Sequence, residues 1–136
     1  MKIIEQTFGL ATKKTNEFID ITTMISQIVT DSNISQGDVI IFCPHTTAGI
    51  TINENADPDV VRDMLLTLEK LVPRNNPNYR HSEGNSDAHL KSSLIGTSEQ
   101  IIITDGKLAL GSWQGLYFCE FDGPRNRTVF VQVRGL

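Results

Sequence analysis

Cysteine is too scarce in this chain to hold it together: Cys43 and Cys119 are the only two in 136 residues, which is no disulfide framework for a chain of this length. Both lie in apolar, strand-like runs, so they read as buried free thiols. Long hydrophobic runs are also lacking, and with them any helix able to span a bilayer. The opening Met1-Lys2-Ile3-Ile4-Glu5-Gln6 has no continuous apolar stretch of the signal-peptide kind, which points to a cytoplasmic protein with no membrane contact. Positive charge is in deficit: 12 Lys and Arg against 16 Asp and Glu leave a net charge of -4 and a pI near 5.3. That balance gives nucleic acid no long-range attraction, while a local basic pocket for a small anion stays open. There is no glycine-rich phosphate loop, dinucleotide fingerprint or paired Cys-x-x-Cys motif. With 39% hydrophobic and 21% charged residues, residues 1–136 suit one globular domain with no room for a second.

The apolar residues that are present fall into short runs. Residues 2–10 read as an opening strand and 17–21 as a second, joined in hairpin-like fashion by Thr12-Lys13-Lys14-Thr15-Asn16. Ile21, Met24, Ile25, Ile28 and Val29 recur at helical spacing, with Thr22 or Thr23 available as N-cap. A continuous apolar run over 38–43 suits a strand covered on both faces, and 48–53 alternate with period two. Asp57-Pro58 starts a helix, because the carboxylate accepts from free amides and proline needs no amide hydrogen at that position. Its stripe of Val60, Val61, Met64, Leu65, Leu68 and Leu71 runs until Pro73 stops it, and Pro73 to Arg80 have no periodicity and read as a surface loop. Ser86 or Asp87 can cap a short helix that Gly96 ends. Asp105-Gly106 between 100–104 and 107–110 is the strongest hairpin signal, and 116–121 and 127–133 complete the strands. Strands outnumber helices by roughly eight to three and mostly follow one another through turns, so the class is α+β with a mixed, mostly antiparallel sheet.

The polar residues are concentrated rather than scattered. All three histidines sit in dense polar clusters, His45 before Thr46 and Thr47, and His81 and His89 on either side of Ser-Glu-Gly-Asn-Ser-Asp-Ala. Imidazole is the commonest metal ligand and titrates near neutrality, which makes such placement a candidate site. The eight-residue offset of His81 and His89 is not that of a helical zinc pair, so the spacing alone favours an ordinary helix-surface role for His89. A fold-back at Gly84 would bring His81 and His89 together, with His45 arriving from a neighbouring strand. Lys91 and Arg125 are the candidate anion binders; each also has a plain structural reading, Lys91 as a solvated helix residue and Arg125 paired with Asp122 or Glu120. Glu120 is a carboxylate on an otherwise apolar strand, which suits an acid–base residue or a ligand, or else an edge glutamate in water.

Taken together, Pro44-His45-Thr46-Thr47-Ala48 with Asn53-Glu54, His81-Ser82-Glu83-Gly84-Asn85 with Asp87-Ala88-His89-Leu90-Lys91, Leu110-Gly111-Ser112-Trp113-Gln114-Gly115, and Glu120-Phe121-Asp122-Gly123-Pro124-Arg125 resemble the YjbQ-like family, also called the secondary thiamine-phosphate synthase family. The resemblance runs from about Lys2 to Val133. It implies a single YjbQ-like α+β domain, a homotrimer, and a polar pocket built from these blocks. It also implies a weak transferase activity joining a hydroxymethylpyrimidine diphosphate to a thiazole phosphate with release of pyrophosphate. In that reading Lys91 and Arg125 hold phosphate, and Thr46, Thr47, Asn85, Trp113 and Gln114 complete the substrate site. Glu54 or Glu120 places a metal or stabilises a cation-like pyrimidine. His45, His81 and His89 carry a divalent metal, zinc or magnesium, with no organic cofactor. The alternative is a non-catalytic protein that binds a metabolite or metal in the same pocket, small and phosphorylated or heterocyclic in either case. A purely structural reading makes the polar blocks a subunit interface.

Overall fold

The computed structural model describes residues 1–136 as two antiparallel sheets and three helices. In chain order these are β1 (Lys2–Ala11), β2 (Glu17–Asp20), α1 (Thr22–Ser32), β3 (Gln36–Phe42), β4 (Ala48–Glu54), α2 (Pro58–Leu71), α3 (Ser86–Ile95), β5 (Ser98–Thr104), β6 (Lys107–Leu108), β7 (Gln114–Glu120) and β8 (Asn126–Gly135). The larger sheet runs β1-β8-β3-β5-β6 and the smaller β2-β7-β4. Every strand pairing is antiparallel, so the parallel component of the expected mixed sheet is not found. The α+β class and the number of helices are as the sequence indicates.

Local chemistry explains several boundaries. The Asp57 side chain accepts from the Asp59 amide at 2.9 Å, with Pro58 as the first helical residue, as the sequence predicts. Asp105 and Gly106 both have positive φ, 51° and 74°, the conformation a two-residue hairpin turn needs between β5 and β6. Two expectations are corrected. β1 and β2 are not a hairpin: β1 pairs with β8 along its whole length and β2 with β7, so the turn between them carries the chain from one sheet to the other. Neither Thr22 nor Thr23 caps α1, and neither Ser86 nor Asp87 caps α3; the N-cap positions are Ile21 and Asn85, without side-chain capping bonds. Thr22 is otherwise engaged, its hydroxyl donating to Asp20 at 2.6 Å and accepting from the Leu116 amide at 2.8 Å.

The inner faces of the two sheets enclose the main core. Val39, Ile41, Ile101, Ile103, Val129, Val131 and Val133 face Ile50, Leu116 and Phe118, and α1 adds Ile21, Ile25 and Val29. Both thiols are free and buried, and burial pushes both above the ordinary cysteine value, so they are packing groups. The other face of β7 forms a smaller cluster, Tyr117, Cys119 and Phe121 under Ala88 of α3, flanked by Val61 and Leu68 of α2. The outer face of the larger sheet has no such cover: Ile3, Phe42, Ile102 and Phe130 are exposed there, and the Phe42 and Phe130 rings stack with centroids 6.3 Å apart. No helix is long and apolar enough to cross a membrane.

Candidate functional site

Three connections meet where β7 ends and β8 begins. The β3–β4 connection brings Pro44 to Thr47, the α2–α3 connection brings His81, Glu83 and Asn85, and the β7–β8 connection brings Asp122 and Arg125. With His89 of α3 and Arg127 of β8 they line a cleft of about 420 Å³ that has no hydrophobic residue in its wall. Backbone and side-chain bonds hold the corner together. The Phe121 amide donates to the Thr47 carbonyl at 3.2 Å, and the Ser92 hydroxyl of α3 donates to the Ala48 carbonyl at 2.6 Å. Gly123 lies so close to the Lys14 carbonyl that a Cβ there would overlap it, which lets the β7–β8 connection lie against the chain entering β2.

Beneath the cleft lies a buried ion pair. Glu120 is fully buried and Arg127 nearly so; Arg127 Nε donates to Oε1 at 2.8 Å and Nη2 to Oε2 at 2.5 Å. Arg127 Nη2 also donates to Thr47 Oγ1 at 2.8 Å, and the Thr12 hydroxyl donates to Glu120 Oε1 at 2.8 Å. Burial pushes the Glu120 carboxyl up, but hydrogen bonds from Arg127, the Asp122 amide and Thr12 outweigh it and hold the group below its ordinary value. Glu120 is therefore an ionised structural anchor.

His45 stands beside this pair. Its Nε2 accepts from the Thr128 amide at 2.9 Å, which places the proton of the neutral ring on Nδ1. Burial, then the Arg127 charge, lowers its pKa and keeps the imidazole neutral. The His81 and His89 rings meet edge to face with centroids 5.4 Å apart, so Gly84, at φ 71°, does let the loop fold back. All three histidines thus border one cleft.

Asn85 is the least satisfied group in the site. Its Nδ2 donates to Asp122 Oδ2 at 2.9 Å, and because a carboxylate only accepts, that bond fixes the amide with Oδ1 free. Asn85 is 7% exposed, and Oδ1 is the one buried side-chain oxygen or nitrogen without a hydrogen-bond partner. Asp122 is itself held by Arg125, whose Nη2 donates to Oδ2 at 3.0 Å and whose Nε donates to the Asp122 carbonyl at 2.9 Å. The Arg125 side chain remains half exposed at the mouth of the cleft.

The cleft unites His45, Thr46, Thr47, His81, Asn85, His89 and Arg125. Four other candidates are placed elsewhere. The Lys91 side chain is 1% exposed, its ammonium held by Glu69 at 2.8 Å and by Asp87 and Asn16 at 3.3 Å each, so it is a tie between α2, α3 and the chain before β2 rather than a phosphate ligand. Glu54 and Gln114 are directly paired at the far end of the β4–β7 ladder, with Trp113 beside them, while Ala48 and Glu120 pair at the near end. Six residues of strand, ~20 Å at ~3.3 Å per residue, separate the two groups within one chain. Arg127 and Asp122 were not among the sequence candidates. The signal for Arg127 was its register with Val129, Val131 and Val133, which turns a guanidinium inward and requires a buried partner.

The metal reading is corrected by the same geometry: no group of three or more His, Cys, Asp or Glu side chains is arranged to hold a metal ion. His45 Nε2 is occupied by a backbone amide, and His81 and His89 present edge to face rather than converging on one point.

The profile of the UPF0047 protein YjbQ-like family matches residues 6–136. The chain is 50% identical over 130 residues to the UPF0047 protein YugU of Bacillus subtilis, covering 96% of this chain and 98% of that one. It is 52% identical over 128 residues to the UPF0047 protein MJ1081 of Methanocaldococcus jannaschii, covering 94% and 92%. Among solved structures, a YjbQ/UPF0047 family protein of Clostridium acetobutylicum superposes with a TM-score of 0.93 at 56% identity, over 95% of this chain and 99% of the other. A Sulfolobus solfataricus protein, described as YbjQ-like and of unknown function, gives 0.95 at 30% identity over 99% of each chain. These names carry no thiamine-phosphate synthase activity, and with the histidines not forming a metal group the metal-assisted synthase reading is overturned, as is the metal-binding alternative. In sequence and fold, the chain belongs to the UPF0047 protein YjbQ-like family.

Proposed function

We propose that the polar cleft recognises a small phosphorylated metabolite bearing a hydroxyl group. The observation that carries this reading is Asn85 Oδ1, a buried acceptor fixed by Asp122 and left without a donor. An unmet buried acceptor costs about 1–3 kcal/mol, which an O–H or N–H of a bound molecule would offset. The phosphate is assigned to Arg125, whose planar fork is held at the cleft mouth by Asp122 yet keeps N–H donors free, and such forks suit phosphate oxygens. Neutral His45 offers a further donor through Nδ1–H. A wall in which every lining residue but Pro44 carries a polar side chain favours a hydroxylated ligand over an oily one.

Calorimetric titration with glycerol phosphate and with propyl phosphate tests this. Glycerol phosphate binds saturably and more tightly than propyl phosphate; Asn85→Ala removes that preference, and Arg125→Ala weakens both. Absence of glycerol phosphate binding, or full affinity in Asn85→Ala, rejects the reading.

We propose further that the chain assembles as a homotrimer. The family resemblance supplies the stoichiometry, and the uncovered apolar residues of the larger sheet supply a surface for it.

A further inference from the structure

Helix α2 is tied down at its two ends and only lightly between them. At its start the Asp57 amide donates to Glu54 Oε2 at 3.2 Å, and the Tyr117 hydroxyl donates to the Glu54 carbonyl at 3.0 Å. Near its end Glu69 accepts from the buried Lys91 ammonium at 2.8 Å. Val61 and Leu68 touch the small cluster beneath, yet no residue of the helix is buried. Under it lies a hollow of about 460 Å³ that shares no lining residue with the polar cleft. Phe18 and Thr51 form its floor, on the face of the smaller sheet that also carries Cys119 and Tyr117. Val60, Met64 and Leu68 of α2 and Ile95 of α3 supply apolar walls. Protein interiors leave few voids larger than a water molecule, and an apolar wall facing such a space forgoes its dispersion contacts. With both of its ends held, the helix does not settle onto the sheet to close the gap.

We propose that this hollow is a second binding site, for a small amphiphile with an apolar body and a primary ammonium head. Its size falls within the range of about 300–1,000 Å³ usual for small-ligand sites. Charge decides the head group. Asp63 is the only ionisable residue in the lining, and no lysine or arginine joins it, so an anion would meet a like charge and no counter-charge. Val60, Asp63, Met64, Thr67 and Leu68 recur at helical spacing and share one face of α2, with Asp63 and Thr67 four residues apart along its exposed margin. A head group there meets a carboxylate and a hydroxyl while keeping contact with water, and the body reaches inward past Met64 to Phe18 and Ile95. Arg62 contacts Asp63 Oδ1 at 3.3 Å, but both side chains are largely exposed, so the pair is weak and leaves Oδ2 open to a further donor.

Met64 reports on the hollow directly, because the other two methionines, Met1 and Met24, lie outside it. The full chain, isotope-labelled at the methionine methyl groups, is titrated with hexylamine, hexanol, hexanoate and propylamine and followed by NMR. Hexylamine shifts the Met64 methyl saturably and leaves that of Met24 unmoved. It binds about tenfold more tightly than propylamine, through its additional methylenes. It binds about fivefold more tightly than hexanol at low salt, the upper range for an exposed ion pair, and hexanoate binds weakest. Asp63→Asn removes the preference for hexylamine over hexanol. Thr51→Leu, which fills the floor with apolar volume, removes binding of both while thermal unfolding shows the chain still folded. If no hexyl compound moves Met64, if propylamine binds as tightly as hexylamine, or if folded Thr51→Leu binds as before, the site is rejected. If hexanol or hexanoate equals hexylamine, or Asp63→Asn keeps the preference, the ammonium ligand is rejected.

Discussion

Arg127 and Glu120 form a two-point ion pair sealed from solvent, with Thr47 and Thr12 closing its remaining sides. The pair joins the end of β7 to the start of β8, and β8 lies in the other sheet, so it bridges the two layers under the cleft. Removing one partner leaves the other charged and buried, which costs about 3–5 kcal/mol.

Glu120→Gln and Arg127→Met should therefore each lower stability by about that amount, measured by denaturant unfolding. The double variant should be less destabilised than the two losses added, because no uncompensated charge remains. Additive losses would show that the two residues act separately.

Stability should also fall with acid in two windows of different origin. His45 is held below its ordinary value of 6.5, so below that pH the unfolded chain binds a proton that the folded chain refuses. Its contribution is present above 6.5 and is lost as pH falls from there toward the folded value. Glu120, Asp38 and Asp20 are also lowered, and their contributions disappear only at lower pH, below the ordinary carboxylate values of 4.5 and 3.8. His45→Gln, whose side-chain oxygen can still accept from Thr128, should flatten the slope between pH 6.5 and 5 and leave the acid limb unchanged. An unaltered slope would place the proton uptake elsewhere.

Signals confined to a few neighbouring residues were legible in the sequence; signals that depend on distant partners were not. The Asp57-Pro58 cap and the Asp105-Gly106 turn complete their own hydrogen bonding within a few residues, so composition announces them. The turn before Glu17 has equally good turn chemistry, but pairing is decided by the apolar face each strand must bury, and the partner of β1 is β8 at the other end of the chain. The site divides in the same way. The loop residues His45, His81, Asn85 and Arg125 cluster because polar connections collect at one end of the sheets. Glu54, Trp113 and Gln114 belong to equally polar blocks, yet they fall at the opposite end, because an antiparallel register sends one end of β4 toward Gln114 and the other toward Glu120.

Lys91 and Arg125 should separate stability from recognition. Lys91→Met leaves Asp87, whose side chain is 4% exposed, without its cation, and should cost about 3 kcal/mol while phosphate affinity is unchanged. Arg125→Ala removes a half-exposed pair worth about 1 kcal/mol or less, yet should weaken phosphate binding. Thermal unfolding and titration on the same samples check both. Loss of binding in folded Lys91→Met would return its ammonium to the ligand site.

The open face of the larger sheet bears on assembly. Phe42 and Phe130 are directly paired across β3 and β8 and are 40% and 45% exposed, and Ile102 and Ile3 lie two rows further along the same face, in the row through Asp38 and Arg134. Burying such residues against another copy gains roughly 25 cal/mol per Å² of apolar surface before the costs of association, whereas a lysine ammonium cannot be buried there without a partner. Phe130→Lys should therefore convert a trimer to monomers in sedimentation velocity, while the monomer keeps its fold because the side chain points away from the core. A Phe130→Lys protein that still sediments as a trimer would show that the interface lies on another face, and a monomeric unaltered chain would reject the assembly itself.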